Sequence, residues 1–359
     1  MRSHAPQVAF QDDDLRTVAV PMRPLAHGAL RTVFLDLVGR PPFAAEHAEW
    51  HGRGFLELVP HLVGSAEFWN HWWEEQLYYF LLVDTFRPVT EAARAVPTGL
   101  AEGRLSARDA IHRLALTSSF DLRNPGADTF VTVVMEQVCG ITVQDRKRDL
   151  ELGKKAYDGG EVRLFGDDAA SQADVVRVCI EHEDAAAHLV RREYERIVKR
   201  APERAALRDS TRRLHRDPHA FVELVGEWML SDAYRARLAE SVALPNRTFV
   251  RALYVDLLDR LPTEDEAEPM RYALDGLADS RPLRSLLARL LIDSGDAPLP
   301  SEGSIEDPRA WIAGLFHRWL GRDPSSAELE TFETTLALPE CSPSTVAYAL
   351  LTSAEYHRY

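Results

Sequence analysis

His182, Glu183, Asp184 and His188 cluster on one predicted helix, with Glu181 beside them. Imidazole nitrogen and carboxylate oxygen together are the donor set of a transition-metal ion. A di-metal carboxylate bundle needs Glu-x-x-His on two helices and further glutamates. Here Glu181 is followed three residues later by Asp184, so that motif is absent. His215 and His219 are four apart, but Asp217-Pro218 breaks any helix between them. The 13 histidines, His71 and His112 included, are therefore read as solvated or capping residues. No metal and no cofactor is expected, and His182, Asp184 and His188 stand as the alternative metal set.

Other chemistry leaves less trace. There is no Gly-x-Ser-x-Gly elbow and no phosphate-binding Walker loop. Gly159-Gly160 and Gly166-Asp167-Asp168 lack calcium-loop spacing. Asp12-Asp13-Asp14 falls in a polar N-terminal arm. The three cysteines, Cys139, Cys179 and Cys341, form no Cys-x-x-Cys, which removes haem attachment and zinc ribbons, and Cys139 and Cys179 read as small buried hydrophobes. A net charge of −14 opposes a nucleic-acid partner, because phosphate binding needs a basic face. The run containing Arg191, Arg192, Arg196, Lys199, Arg200 and Arg204 is interleaved with glutamates and reads as a solvated helix face. No window approaches about 18 apolar residues, so no transmembrane segment is expected. The location these features imply is cytoplasmic.

The elements that carry these residues show a recurring phrase: an apolar helix, a basic residue or glycine, a proline, then a second helix closing on Ser-x-x-aromatic. Copies are Val33-Phe34-Leu35-Asp36-Leu37-Val38-Gly39-Arg40-Pro41-Pro42, Leu253 to Pro262 and Leu315 to Pro324, with a weaker one at Tyr194 to Pro202. Gly140, Arg200 and Arg260 follow at intervals of 60, and Arg322 lies 62 further on. This register predicts a helix ending near Gly140, although the β-branched run Phe130 to Met135 resembles a strand. Asp36 and Asp256 stand four residues before Arg40 and Arg260, spacing that predicts an ion pair bracing these two corners, while His317 and Arg318 break the pattern at the third, which keeps Arg322 at its helix end. Thr263/Glu266 and Ser325/Glu328 predict capping boxes at the next helix. Ser65, Ser231 and Ser353 each precede an aromatic residue by three positions.

Trp69, Trp72, Trp73, Leu77 and Phe80 fall at i, i+3, i+4, i+8 and i+11, one helical stripe. It serves either a core or a partner groove. The partner contacts expected are Trp69, Trp72, Trp73, Tyr78, Tyr79 and Phe86, with Tyr356 and Tyr359 at the other end, besides the acidic arm.

Two family resemblances rest on these residues. Residues 250–296 and 311–359 resemble a bacterial helical module with the pattern aromatic-x-x-x-Leu-Gly-Arg-x-Pro and a Ser-x-Glu-Tyr ending, itself similar to the linker domain of phycobilisomes. Residues 30–84 resemble the start of a domain of unknown function common in planctomycetes and myxobacteria, where it accompanies cytochrome c-like segments. The residues that carry it are Val33 to Pro42, Phe68-Trp69-Asn70-His71-Trp72-Trp73 and Asp84-Thr85. The resemblance implies an α-helical architecture and, through the linker analogy, an interaction role.

The sequence thus predicts an all-α chain of tandem helical units of about 60 residues, like phycobilisome-linker modules. Its expected divisions are an arm at 1–23, a first unit with a Trp-rich insertion at 24–125, central units at 126–240, and repeat units at 241–300 and 301–359. The function expected is a non-catalytic scaffold or linker that assembles other protein subunits into a larger complex. The alternatives are a metal-binding or enzymatic helical protein, or an accessory subunit of a redox assembly.

Overall fold

The computed structural model describes residues 25–82, 91–301 and 303–359. The expected arm at 1–23 and Phe86 lie outside these residues. Helices make up most of the described chain. Among the described residues the one sheet is a hairpin, Val162–Leu164 paired antiparallel with Asp167–Ala169. Its turn, Phe165-Gly166, has positive φ at both positions (50° and 99°), the conformation a two-residue hairpin loop requires.

The chain divides into two compact units. A central unit spans Pro60–Tyr234, and a discontinuous unit joins the segment ending at Val59 to Arg235–Tyr359. This grouping differs from the consecutive divisions expected at 125/126 and 240/241. Tertiary packing associates the first helical corner with the last two, and no local sequence signal reports that.

In the central unit, Ser65 Oγ accepts from the Phe68 N–H and opens the helix Ala66–Leu81. The tryptophan stripe is its inward face: Trp69, Trp72, Trp73, Leu77 and Phe80 are all buried. Trp72 meets Trp69 edge-on at 5.5 Å, and both rings meet Phe221. A second aromatic series runs Phe80, Phe120, Phe130, Tyr157, with centroids 5.3–6.3 Å apart. Such offset and edge contacts add to the burial of area itself. The β-branched run is helical: Gly126–Val133 continues through a π-turn, Val134–Val138, and Gly140 stops it at φ 71°. Here tertiary burial overrides β propensity, since Phe130, Val131, Val134 and Met135 all enter the core.

In the discontinuous unit the helix His27–Val38 is buried along most of its length, including Arg31, Asp36 and the following Arg40. Around it and the helix Asn246–Leu258 lie Glu264–Asp275, Arg281–Asp293, Pro308–Leu315, Ser326–Leu336 and Pro343–Leu351. Phe249, Leu253, Ile312, Phe316, Trp319, Val346, Leu350 and Tyr356 fill its apolar core.

Candidate functional site

Three corners of the discontinuous unit share one geometry. Each first helix ends on a left-handed residue: Gly39, Asp259 or Gly321. The arginine that follows then reaches forward to the N3 glutamate of the next helix. Arg40 grips Glu46 (2.6 and 2.9 Å), Arg260 grips Glu266 (2.8 and 2.7 Å) and Arg322 grips Glu328 (3.0 and 2.7 Å). In each case the same glutamate also caps backbone, accepting from Phe43, Thr263 or Ser325 N–H. The arginine partner is thus six residues ahead. The expected brace between residues four apart does not form at Asp256 and Arg260. Arg260 is occupied by Glu266, while Asp256, on the buried side of its helix, is occupied from within the core.

Two matching pairs fill that core. Asp256 receives both guanidinium nitrogens of Arg31 (3.0 and 2.8 Å) and the Tyr356 hydroxyl (2.8 Å). Asp36 receives the Tyr359 hydroxyl (2.8 Å), with Arg237 at 3.6 Å and stacked on the Tyr359 ring. Burial alone would lower the Arg31 guanidinium, but Asp256 outweighs it and holds the pKa above the ordinary value. Burial, then Asp256, pushes the Tyr356 phenol well up, so it stays a neutral donor. Each such pair must be complete, because a buried charge without its partner is costly.

The residues expected to meet a partner are therefore distributed unevenly. Trp69, Trp72, Trp73 and Tyr356 are core residues. Tyr359 is held by Asp36 and by a backbone pair with Val242 (2.7 and 2.8 Å). Tyr79 is part-buried, bonded to His188 and covered by Arg192. Tyr78 alone of the described set is exposed, at 47%. Phe86 lies outside the described residues.

Of the alternative metal set, His182 and Asp184 stay together, with Nδ1 and Oδ2 3.4 Å apart, but the three residues do not form a converging ligand group among the described residues. His182 Nδ1 accepts from the Asp184 N–H and caps the helix Glu183–Val198. His188 lies within that helix, its Nε2 at 3.0 Å from the Tyr79 hydroxyl. Burial, aided by Arg192 and Arg191, lowers the His188 pKa to about 4. Next to it, the buried Glu193 takes Gln76 (3.0 Å) and Arg196 (2.9 Å). Burial would raise the Glu193 carboxyl, yet Arg196 and Arg192 hold it below its ordinary value. A cleft of about 170 Å³ in the same unit is lined by Trp69, Ser106, His219 and Phe221. The Ser106 hydroxyl donates to the Asp109 carboxylate (2.7 Å) and accepts from the Asp109 N–H, the two sides of a capping box.

A different group of histidines does come together. His27, the first residue of its helix, has its ring stacked between those of His51 (3.9 Å) and His317 (4.0 Å). Its Nδ1 lies 3.1 Å from His47 Nε2. His317 Nε2 lies 2.8 Å from Asp323 Oδ1. Among the described residues, His27, His317 and Asp323 are the group able to converge on one metal ion, with ligand atoms within 4.8 Å of one another. Burial, followed by His317 and His51, brings the His27 pKa down to about 4. Burial, followed by His27 and His51, does the same for His47. At neutral pH both rings are uncharged and keep a nitrogen lone pair.

Backbone geometry explains the convergence. Gly28 and Gly321 touch: a Cβ on Gly28 would stand 2.8 Å from the Gly321 carbonyl oxygen, and one on Gly321 would stand 2.7 Å from Gly28 Cα. His317 belongs to a π-turn, Phe316–Leu320, a local geometry frequent at functional sites. The sequence offered one signal for this group, the His47/His51 spacing of four on a short helix, which places both on one face. His27 and His317 stand 290 positions apart and no pattern links them.

Comparison with family models, curated proteins and solved structures finds no match to this chain.

Proposed function

We propose that the chain is a non-catalytic helical scaffold, built from duplicated corner units, that assembles other protein subunits into a larger complex. The observation that carries this reading is the helix Arg281–Asp293. Its Leu287, Ala288, Leu291 and Ile292 are buried, yet Leu286 and Leu290, one turn apart, are 51% and 57% exposed. Leucines on two faces exceed what an amphipathic surface helix needs, and the outer pair is a ready anchor for a partner. Tyr78 and Leu82 form a similar exposed pair on the central unit.

The recurring phrase supports the same reading by what its residues do. Its arginines, glutamates, serines and closing aromatics are engaged in corners and caps, so they build units rather than react. The resemblance to linker modules agrees with that division. No described helix is long and apolar enough to cross a membrane. Partner association lies, on this reading, at the exposed leucines. Affinity purification from the native source should recover a defined complex with the unaltered chain. Leu286→Glu/Leu290→Glu should lose it while keeping the helical circular-dichroism spectrum. A complex that survives this double substitution would refute the assignment to this face.

A further inference from the structure

We propose that His27, His317 and Asp323 form a binding site for one divalent transition-metal ion of the zinc type, with His47 positioning His27. This goes beyond the scaffold reading and does not depend on it.

Three observations support the site. The first is the donor set. Two imidazoles and a carboxylate are borderline ligands suited to zinc and its neighbours rather than to magnesium or calcium, which prefer all-oxygen shells. The second is the distance. Tetrahedral ligands about 2.0–2.2 Å from zinc stand roughly 3.3 Å from each other. His317 Nε2 and Asp323 Oδ1 are already 2.8 Å apart, and a His27 ring nitrogen lies within 4.8 Å of the ligand atoms of both residues. Small side-chain rotations therefore close the site. The ring planes of His27 and His317 are parallel within 6°, so those rotations must also turn the two lone pairs toward a common point.

The third is the support around the ligands. Metal-bound histidines are commonly fixed through their second ring nitrogen. His27 Nδ1 is engaged by His47 Nε2, which leaves Nε2 of His27 as its metal-facing atom. The Gly28–Gly321 backbone contact and the π-turn at Phe316–Leu320 set the helix start against the third corner, an approach that any larger residue would prevent. His27, His47 and His317 are half-buried, whereas Asp323 and His51 are exposed, so the ion would enter from solvent on the Asp323 side. Three protein ligands leave a fourth position for water.

An ordinary solvated histidine surface would not show this arrangement. The rings of His47, His51 and His317 all lie against that of His27, with centroids 5.1, 3.9 and 4.0 Å away and planes within 7° of parallel. The cluster also joins three separate segments, at His27, His47–His51 and His317–Asp323. A bound ion would cross-link the first and third of these directly, with the second attached through the His47–His27 contact, and stabilise the folded state by mass action.

The test uses the full chain without a histidine tag, stripped with a chelator and titrated with Zn²⁺ by calorimetry, with bound metal counted after gel filtration. The expected result is one equivalent of zinc, a higher melting temperature, and no competition from Mg²⁺. Asp323→Ala and His317→Ala should each weaken binding by at least about tenfold, whereas His215→Ala, at an exposed histidine of the central unit, should leave it unchanged. Asp323 is exposed, so its variant reports on binding even if the His317 variant folds poorly. Failure of the unaltered protein to bind zinc overturns the proposal. So does undiminished affinity in the Asp323 variant, or equal competition by Mg²⁺.

Discussion

Arg31 and Asp256, 225 positions apart in the chain, meet as a bidentate pair inside the discontinuous unit. The contact joins the helix of the first corner to the helix of the second. It is closed by the Tyr356 hydroxyl, and Trp319 Nε1 donates to the Asp256 carbonyl at 3.1 Å. One carboxylate therefore ties together two helices, from the beginning and middle of this unit, and the turn that follows its last helix.

Removing one member should be severe. Arg31→Met leaves Asp256 buried with a neutral donor as its remaining side-chain partner, and breaking a buried pair from one side costs about 3–5 kcal/mol. Urea unfolding followed by tryptophan fluorescence would read the loss. Tyr356→Phe should cost less, about 1–3 kcal/mol, because Arg31 still compensates the charge.

The three arginine clamps have the same geometry and different burial, which gives a graded prediction. Arg40 is almost wholly enclosed, whereas Arg260 and Arg322 are solvent-accessible. Lysine cannot make the two-pronged contact. Arg40→Lys should therefore cost on the order of 3 kcal/mol, and Arg260→Lys about 1 kcal/mol or less. Equal losses in thermal unfolding would show that the clamps are not what distinguishes the corners.

Serine caps repeat across both units. Ser65, Ser231 and Ser353 each accept from the N–H of an aromatic residue three positions on, at 3.1–3.2 Å, and Thr117 does so for Phe120. Alanine at any one of the serines should cost about 1 kcal/mol, and threonine much less. Differential scanning calorimetry of the three alanine variants would check this.

Acid should act in two windows, the first shared by both units because His27 and His47 of the discontinuous unit are also held at about 4. His188 is held near 4 in the folded chain, below its ordinary 6.5. The unfolded chain then binds the extra proton first, so stability contributed by neutral His188 is whole above about pH 6.5 and is lost as the pH falls toward 4. Glu266 and Glu328 are held at about 2, chiefly by Arg260 and Arg322. Their contribution is present above about pH 4.5 and disappears as the pH falls toward 2. His188→Gln should reduce the first loss, leaving the part due to His27 and His47, and Glu266→Gln should reduce the second, leaving the part due to Glu328, as read from unfolding midpoints across pH.

What the sequence made legible was local. Gly39 and Gly321 mark left-handed stops because they alone adopt positive φ without strain, and Thr263/Glu266 and Ser325/Glu328 announce their capping boxes by type and spacing. The helical spacing of Trp69, Trp72 and Trp73 identified a single face, and its burial followed. Register correctly favoured helix over strand at Phe130–Met135. Long-range relations were not legible. Asp256 lies four residues before Arg260, but a one-dimensional spacing could not show that Glu266 outcompetes it or that Arg31 claims it. The joining of residues before Val59 to those after Arg235, and the meeting of His27 with His317, depend on packing between segments far apart in sequence.

The central claim is that this chain holds partners through exposed leucines while its repeated residues build the frame. The most direct measurement is quantitative affinity purification of the native complex with unaltered and Leu286→Glu/Leu290→Glu chains in parallel. The account predicts a defined set of co-purifying subunits with the first and their loss with the second, both chains being equally helical. A chain that purifies alone and monomeric, or a complex indifferent to the two substitutions, would contradict it.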